Sequence, residues 1–235
     1  MKKSLLLCVL AVFALSGLTA QQKNEIKSKP FAKSFGQGNC TFSTTGKNQF
    51  FVLEPGYTLI LEGKNGKEST QLAITVLKET KKIGNVETRI VEEKETVNGK
   101  LSELSKNYYA FCRQTGDIYY FGEEVDIYKN GKIKSHSGAW IAEGRNKPGL
   151  AMPGKAVIGA KYYQELAPKI AMDRAEIISL SETLKTPAGS FKNCLKTKES
   201  NALNPIEKEY KIYAPGIGLI KDESLLLIKY GFLKK

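Results

Sequence analysis

The second half of this chain repeats the first at a spacing of a little over one hundred residues, so its fold must be one that the same short unit can build twice. Gly56-Tyr57 ahead of Leu61-Glu62 returns as Gly159-Ala160 ahead of Gln164-Glu165, and Ile74-Thr75-Val76 with Glu79-Thr80 returns as Ile178-Ser179-Leu180 with Glu182-Thr183. Gly84-Asn85-Val86 before Arg89-Ile90 is answered by Gly189-Ser190-Phe191 before Cys194-Leu195, and Tyr109-Ala110 before Gly116 by Tyr213-Ala214 before Gly218. Gly56 and Gly159 stand 103 positions apart and Gly84 and Gly189 stand 105 apart, so insertions between the signatures nearly cancel. The pattern predicts a duplicated structural unit. Such a unit specifies an architecture and names no substrate.

The units themselves read as strands. Asn65-Gly66, Asn98-Gly99 and Asn130-Gly131 punctuate the first half, and Asn-Gly tolerates the positive φ values that a tight hairpin turn demands. Between the turns the faces alternate: Tyr57, Leu59 and Leu61 oppose Thr58, Ile60 and Glu62, and Leu72, Ile74 and Val76 oppose Ala73, Thr75 and Leu77. Period two over many segments predicts antiparallel sheet. Residues Ala175 to Leu184 have a helical composition, but their first-half counterpart, Leu72 to Thr80, reads as strand, and the repeat decides for strand. One helix candidate remains, Tyr162 to Met172, and Pro168 limits its length. The apolar run Leu225 to Ile228 predicts a last strand buried on both faces that closes the sheet. The expected fold is all-β, an antiparallel curved sheet or partly open barrel built from two duplicated units.

Met1-Lys2-Lys3, an apolar run from Leu5 to Leu15 and the small residues Ser16 to Ala20 read as a secretory signal peptide over residues 1–20. Its apolar core is about half the roughly 20 residues that a membrane anchor needs. Residues 21–48 are polar and rich in lysine and glycine, and read as a mobile leader that docks by Phe31, Phe35 and Phe42. A first β unit over 49–125, a connecting hairpin and loop over 126–153 and a second β unit over 154–235 follow. Pro148 and Pro153 keep the connecting loop from regular pairing. The mature chain is therefore expected in the periplasm or secreted, with no transmembrane segment.

Thirty-six lysines and arginines against 24 acids give a formal charge of +12. The lysines are scattered in ones and twos between strand-like runs, with no recognition helix or zinc finger, which argues for solvated strand edges and against a nucleic-acid partner. Cleavage after Ala20 leaves Cys40, Cys112 and Cys194. In an oxidising compartment two of them pair, and the sequence leaves all three pairings open.

Motifs for chemistry are sparse. His136, in Lys134-Ser135-His136-Ser137-Gly138, reads as an exposed hairpin residue, and no Gly-x-Ser-x-Gly elbow, P-loop or dinucleotide fingerprint occurs. Glu123, Glu124 and Asp126 lack the oxygen-ligand spacing of a calcium loop, and on a strand Glu123 points away from the other two. No catalytic residue, metal site or cofactor is assigned. Glu62 and Glu165 occupy equivalent positions of the two units and would face each other across a groove if the units pair about a pseudo-twofold axis. The aromatics Tyr109, Tyr120, Trp140 and Tyr163 are candidates for a ligand-binding face, since rings supply large contact area at low entropic cost. Neighbouring tyrosines, such as Tyr108-Tyr109 and Tyr119-Tyr120, point to opposite faces of a sheet.

Several longer motifs run through the chain: Phe51-Val52-Leu53-Glu54-Pro55-Gly56, Tyr119-Tyr120-Phe121-Gly122-Glu123 and Lys147-Pro148-Gly149-Leu150-Ala151-Met152-Pro153. Thr186-Pro187-Ala188-Gly189-Ser190-Phe191-Lys192-Asn193-Cys194-Leu195-Lys196 and Tyr213-Ala214-Pro215-Gly216-Ile217-Gly218-Leu219-Ile220-Lys221 follow. With these the chain resembles secreted bacterial envelope proteins of unknown function, some of them called TapB-like. The resemblance implies a β-rich envelope protein and transfers no catalytic residue. The expected function is non-enzymatic binding of an apolar, glycan or protein ligand. The alternatives are a carboxylate-dependent hydrolase of envelope polysaccharide using Glu62, Glu165 or Glu123, and a structural partner that pairs by a strand edge.

Overall fold

Two of the three Asn-Gly pairs close their hairpins with both residues at positive φ, Asn98 and Gly99 at 51° and 75° and Asn130 and Gly131 at 55° and 74°. That is the geometry whose twist matches the flanking strands. The computed structural model describes residues 30–233, so the signal sequence read over residues 1–20 lies outside the described residues.

Three short strands, β1 (Phe42–Ser43), β2 (Gly46–Lys47) and β3 (Val52–Leu53), precede a first meander of β4 (Tyr57–Asn65), β5 (Glu68–Ile83), β6 (Val86–Val97), β7 (Lys100–Cys112) and β8 (Ile118–Lys129). The chain then folds back on β8 with β9 (Lys132–Ser135), β10 (Trp140–Ile141) and β11 (Gly149–Met152). A second meander completes it: β12 (Lys161–Tyr163), β13 (Asp173–Thr186), β14 (Gly189–Asn201), β15 (Glu209–Ala214), β16 (Gly218–Asp222) and β17 (Leu225–Phe232). The meanders join where β17 pairs antiparallel with β4, giving a 15-stranded antiparallel sheet that is not closed; β2 and β3 form a separate ribbon.

The outer edges of the sheet curl toward one another. The Lys147 amide donates to the Leu166 carbonyl at 2.9 Å, and Gly149 lies so near the second edge that a Cβ there would sit 2.0 Å from the Gln164 carbonyl oxygen. The residues around Pro168 form a tight turn, with the Ala167 and Ala171 amides each donating to the other's carbonyl, rather than the short helix their composition allowed. No α-helix occurs among the described residues, and no helix is long and apolar enough to cross a membrane.

The meanders begin alike. Gly56 (φ 87°) and Gly159 (φ 81°) each end a turn and donate to the following long strand, Gly56 to the Val76 carbonyl at 2.7 Å and Gly159 to the Ile177 carbonyl at 2.8 Å. Past Val76 the β5–β6 register slips, which frees the carbonyls of Leu77 and Lys78 from the ladder. The buried guanidinium of Arg89 takes them up and also donates from Nε to the Thr44 carbonyl at 2.9 Å.

Alternation on β7 and β8 divides the core into two layers. Tyr108, Tyr119 and Phe121 point to the outer face, where Phe42 packs edge-on against Tyr119 and Phe121, both at 5.4 Å. A disulfide from Cys40 to Cys112 ties the segment ahead of the first meander to this face, and Cys194 stays a buried thiol. The inner layer unites both meanders through Leu61, Ile177, Leu195, Ile220 and Leu227. Strand β17 differs from its expectation: of its apolar run only Leu227 is fully buried, and Phe232 is exposed, because this strand lies at the join of the meanders with one face toward solvent.

Candidate functional site

The inner face of the sheet is lined partly by ionisable groups, because several alternating positions that point inward carry carboxylates. At its first-meander end, Tyr109 of β7 stacks on Tyr120 of β8 (centroids 4.7 Å, interplanar 26°), and Trp140 of β10 meets Tyr120 edge-on at 5.4 Å. The Trp140 Nε1–H donates to Glu165 Oε1 at 3.3 Å, and Tyr120 donates to the buried Asn107. Glu123 lies opposite Trp140 in the β8–β10 ladder and contacts Glu165 side chain to side chain. Burial, then the neighbouring Glu165 and Glu93, pushes the Glu123 carboxyl up to about 9; burial, then Asp173, pushes Glu165 up to about 7.

The second cluster centres on Lys211 of β15. Its ammonium lies 3.4 Å from Glu199 Oε2 on β14 and 3.6 Å from Asp222 Oδ2 on β16. Glu199, followed by Asp222, holds Lys211 protonated well above the usual lysine range against the opposing effect of burial. Glu199 is itself cradled: Oε1 accepts from Thr197 Oγ1 at 2.9 Å and from Gln164 Nε2 and Tyr213 Oη, both at 3.4 Å.

Between the meanders, over Lys211, lies a partly open cavity of about 150 Å³. Phe51, Tyr57, Leu59 and Ile74 supply apolar wall, and Glu93 and Lys211 supply charge. The cavity's rim is fixed by local bonds. Tyr57 Oη donates to the Ile217 carbonyl at 3.1 Å, the Gly216 amide donates to the Gln49 carbonyl at 2.8 Å, and Phe51 packs edge-on against Tyr109 at 5.3 Å. Glu93, on β6, is pushed up to about 7, first by burial, with Lys211 opposing. On the far side of Lys211 lies an acidic pocket lined by Asp173 and Glu199 and, at its exposed side, by Glu207 and Glu209.

The structure brings together Tyr109, Tyr120, Trp140 and Glu165 of the residues singled out from sequence. Tyr163 is buried elsewhere, edge-on to Phe31 at 6.0 Å with the Lys33 ammonium 5.2 Å from its ring. Glu62 is exposed and accepts from Gln71 Nε2 at 2.6 Å. The two repeat-equivalent glutamates therefore stand in unlike surroundings. Glu124 and Asp126 share the face opposite Glu123, where Glu124 pairs with Lys81 and Asp126 lies 2.9 Å from the Nδ1 of His136. Lys211, Glu93, Glu199 and Asp222 were not singled out from sequence. The signal available was that Lys211 shares a strand face with Tyr213, the repeat equivalent of Tyr109.

No family model matches the chain, and no curated protein matches it significantly. Among solved structures, one described as "a putative lipoprotein from Parabacteroides distasonis ATCC 8503" is similar at 13% identity and a TM-score of 0.38, covering 80% of this chain and 100% of that one. A likeness that distant transfers no function.

Proposed function

We propose that this chain is an exported binding protein of the cell envelope that takes a small, mainly apolar ligand into the cavity between its meanders, with no covalent chemistry. The observation that carries this reading is the cavity itself: partly open, with apolar wall from Phe51, Leu59 and Ile74 and polar groups from Gln164, Glu93, Lys211 and Asp222. Export is supported by the disulfide from Cys40 to Cys112, a bond that persists in oxidising compartments. The matching turns at Gly56 and Gly159 support an origin of the two meanders in one duplicated unit. The carboxylates give hydrolysis little support. Neither Glu123 nor Glu165 lines the cavity, so a substrate seated there meets neither as acid or nucleophile.

The test is a fluorescence and calorimetric titration of the protein from residue 21 onward with single-ring and short-chain hydrocarbon probes. Saturable binding is expected, abolished by Leu59→Trp, which fills the cavity. Absence of binding by every probe, or binding that Leu59→Trp leaves intact, would overturn the proposal.

A further inference from the structure

The cavity floor carries more acid than base, and one of its acids is unmatched. Lys211 already has two carboxylates, Glu199 and Asp222, within 3.6 Å. Glu93 is a further carboxyl on the cavity lining, and among the described residues it makes neither a hydrogen bond nor an ion pair. From proposed ligand binding in this cavity, which the inference rests on, we infer that the ligand is a small organic cation, a protonated amine carrying one ring or a short hydrocarbon chain, seated with its nitrogen on Glu93.

Three features point to this class. Size comes first: at about 150 Å³ the space is comparable to an engineered protein cavity that takes up benzene. Charge comes second. With Glu93 ionised, the cavity lining holds Lys211 against two carboxylates, Glu93 and Asp222, and Lys211 is already paired with Glu199 outside that lining. An added anion meets repulsion, and an added cation completes the pairing of a carboxylate otherwise stranded among apolar walls. The third feature is the wall, where the rings of Phe51, Tyr57 and Tyr109 offer faces and edges to an ammonium and to the hydrocarbon attached to it.

The groups that face Glu93 are Lys211 from β15, Asp222 from β16, Glu103 and Tyr109 from β7, and Glu123 and Tyr120 from β8. Burial keeps the empty site's Glu93 carboxyl protonated up to about pH 7. Uptake of an ammonium favours the ionised form, so below neutrality the arriving cation displaces one proton from Glu93 to solvent. Affinity for an amine therefore rises with pH through this range, provided that the amine itself stays protonated.

Phenethylamine, 2-phenylethanol and 3-phenylpropionate share a ring and differ in head group, and calorimetric titration of the three separates the possibilities. The expected result is that the amine binds about tenfold or more tighter than the alcohol, that the carboxylate binds weakest, and that amine affinity rises about tenfold between about pH 6 and about pH 8. Glu93→Gln should remove the amine's advantage and its pH dependence while alcohol binding persists, which also shows that the variant is folded. Equal binding of amine and alcohol, or an amine affinity unchanged in Glu93→Gln, overturns the cation assignment and leaves ligand binding by the cavity standing. Failure of all three probes overturns both.

Discussion

Trp140 donates its indole N–H to Glu165 across the place where the two outer edges of the sheet approach, so one buried hydrogen bond links the last strands of the first meander to the start of the second. Trp140→Phe keeps a ring and removes the donor. A buried acceptor left without its partner costs about 1–3 kcal/mol. Urea unfolding should show a loss of that size, with an unchanged m-value if the edges stay in place.

The buried carboxyls make stability pH-dependent, with a definite sign. Glu93, Glu123 and Glu165 all have raised values in the folded protein, to about 7, 9 and 7. The folded state therefore binds protons that the unfolded chain has already released. Their contribution is full below the unfolded carboxyl range near pH 4.5 and is lost as pH climbs through about 7 and then 9. Denaturation followed from pH 5 to pH 9 should show falling stability, with roughly 1.4 kcal/mol lost for each unit of net shift. Glu123→Gln, which keeps the shape and removes the charge, should flatten the alkaline half of the curve. A stability that rises over this range would contradict the assignment.

Lys211 is the one cation within 4 Å of Glu199 and Asp222 among the described residues. Lys211→Met preserves most of the side-chain volume and strands both carboxylates, and breaking a buried pair in this way costs about 3–5 kcal/mol. Urea denaturation of the variant beside the parent protein at pH 7 measures this loss.

The disulfide closes a separation of 72 residues, for which the chain-entropy treatment gives a stabilisation of about 4 kcal/mol. The Cys40→Ala, Cys112→Ala double variant should lose about 2–4 kcal/mol. In it, proteolysis should begin in residues 30–47, which the bond and Phe42 hold against β7 and β8. In the intact protein beginning at Gln21, a thiol reagent should label Cys194 alone, and only after unfolding.

Much of the strand pattern could be read from sequence because it is dictated locally. Asn98-Gly99 imposes its own backbone angles, and Tyr108-Tyr109 must split across a sheet whatever surrounds it. The charged floor was hidden for the opposite reason. Lys211 lies in Glu209-Tyr210-Lys211-Ile212-Tyr213, where a lysine alternating with apolar residues looks like a solvent-facing position. Only the curvature of the sheet brings Glu93 from the first meander over it. The expectation for Glu62 and Glu165 shows how matched sequence signatures mislead: β4 continues through Glu62 to Asn65, whereas β12 ends at Tyr163. Past that point Gln164 to Leu166 turn toward β11, so equivalent positions in sequence acquire opposite exposure. Tyr163 was placed with the other aromatics by residue type, and its real neighbours, Phe31 and Lys33, come from a segment whose docking no periodicity reveals.

The join between β17 and β4 sets the order in which this molecule can be completed. Tyr57 takes Phe232 as its ladder neighbour, so the strand that unites the halves follows every other described strand of the sheet in chain order. Until it arrives, β4 presents an unpaired backbone edge, and the two halves have no shared ladder. Such distant pairing makes for slow folding, and a variant lacking β17 would keep two sticky half-sheets in place of one.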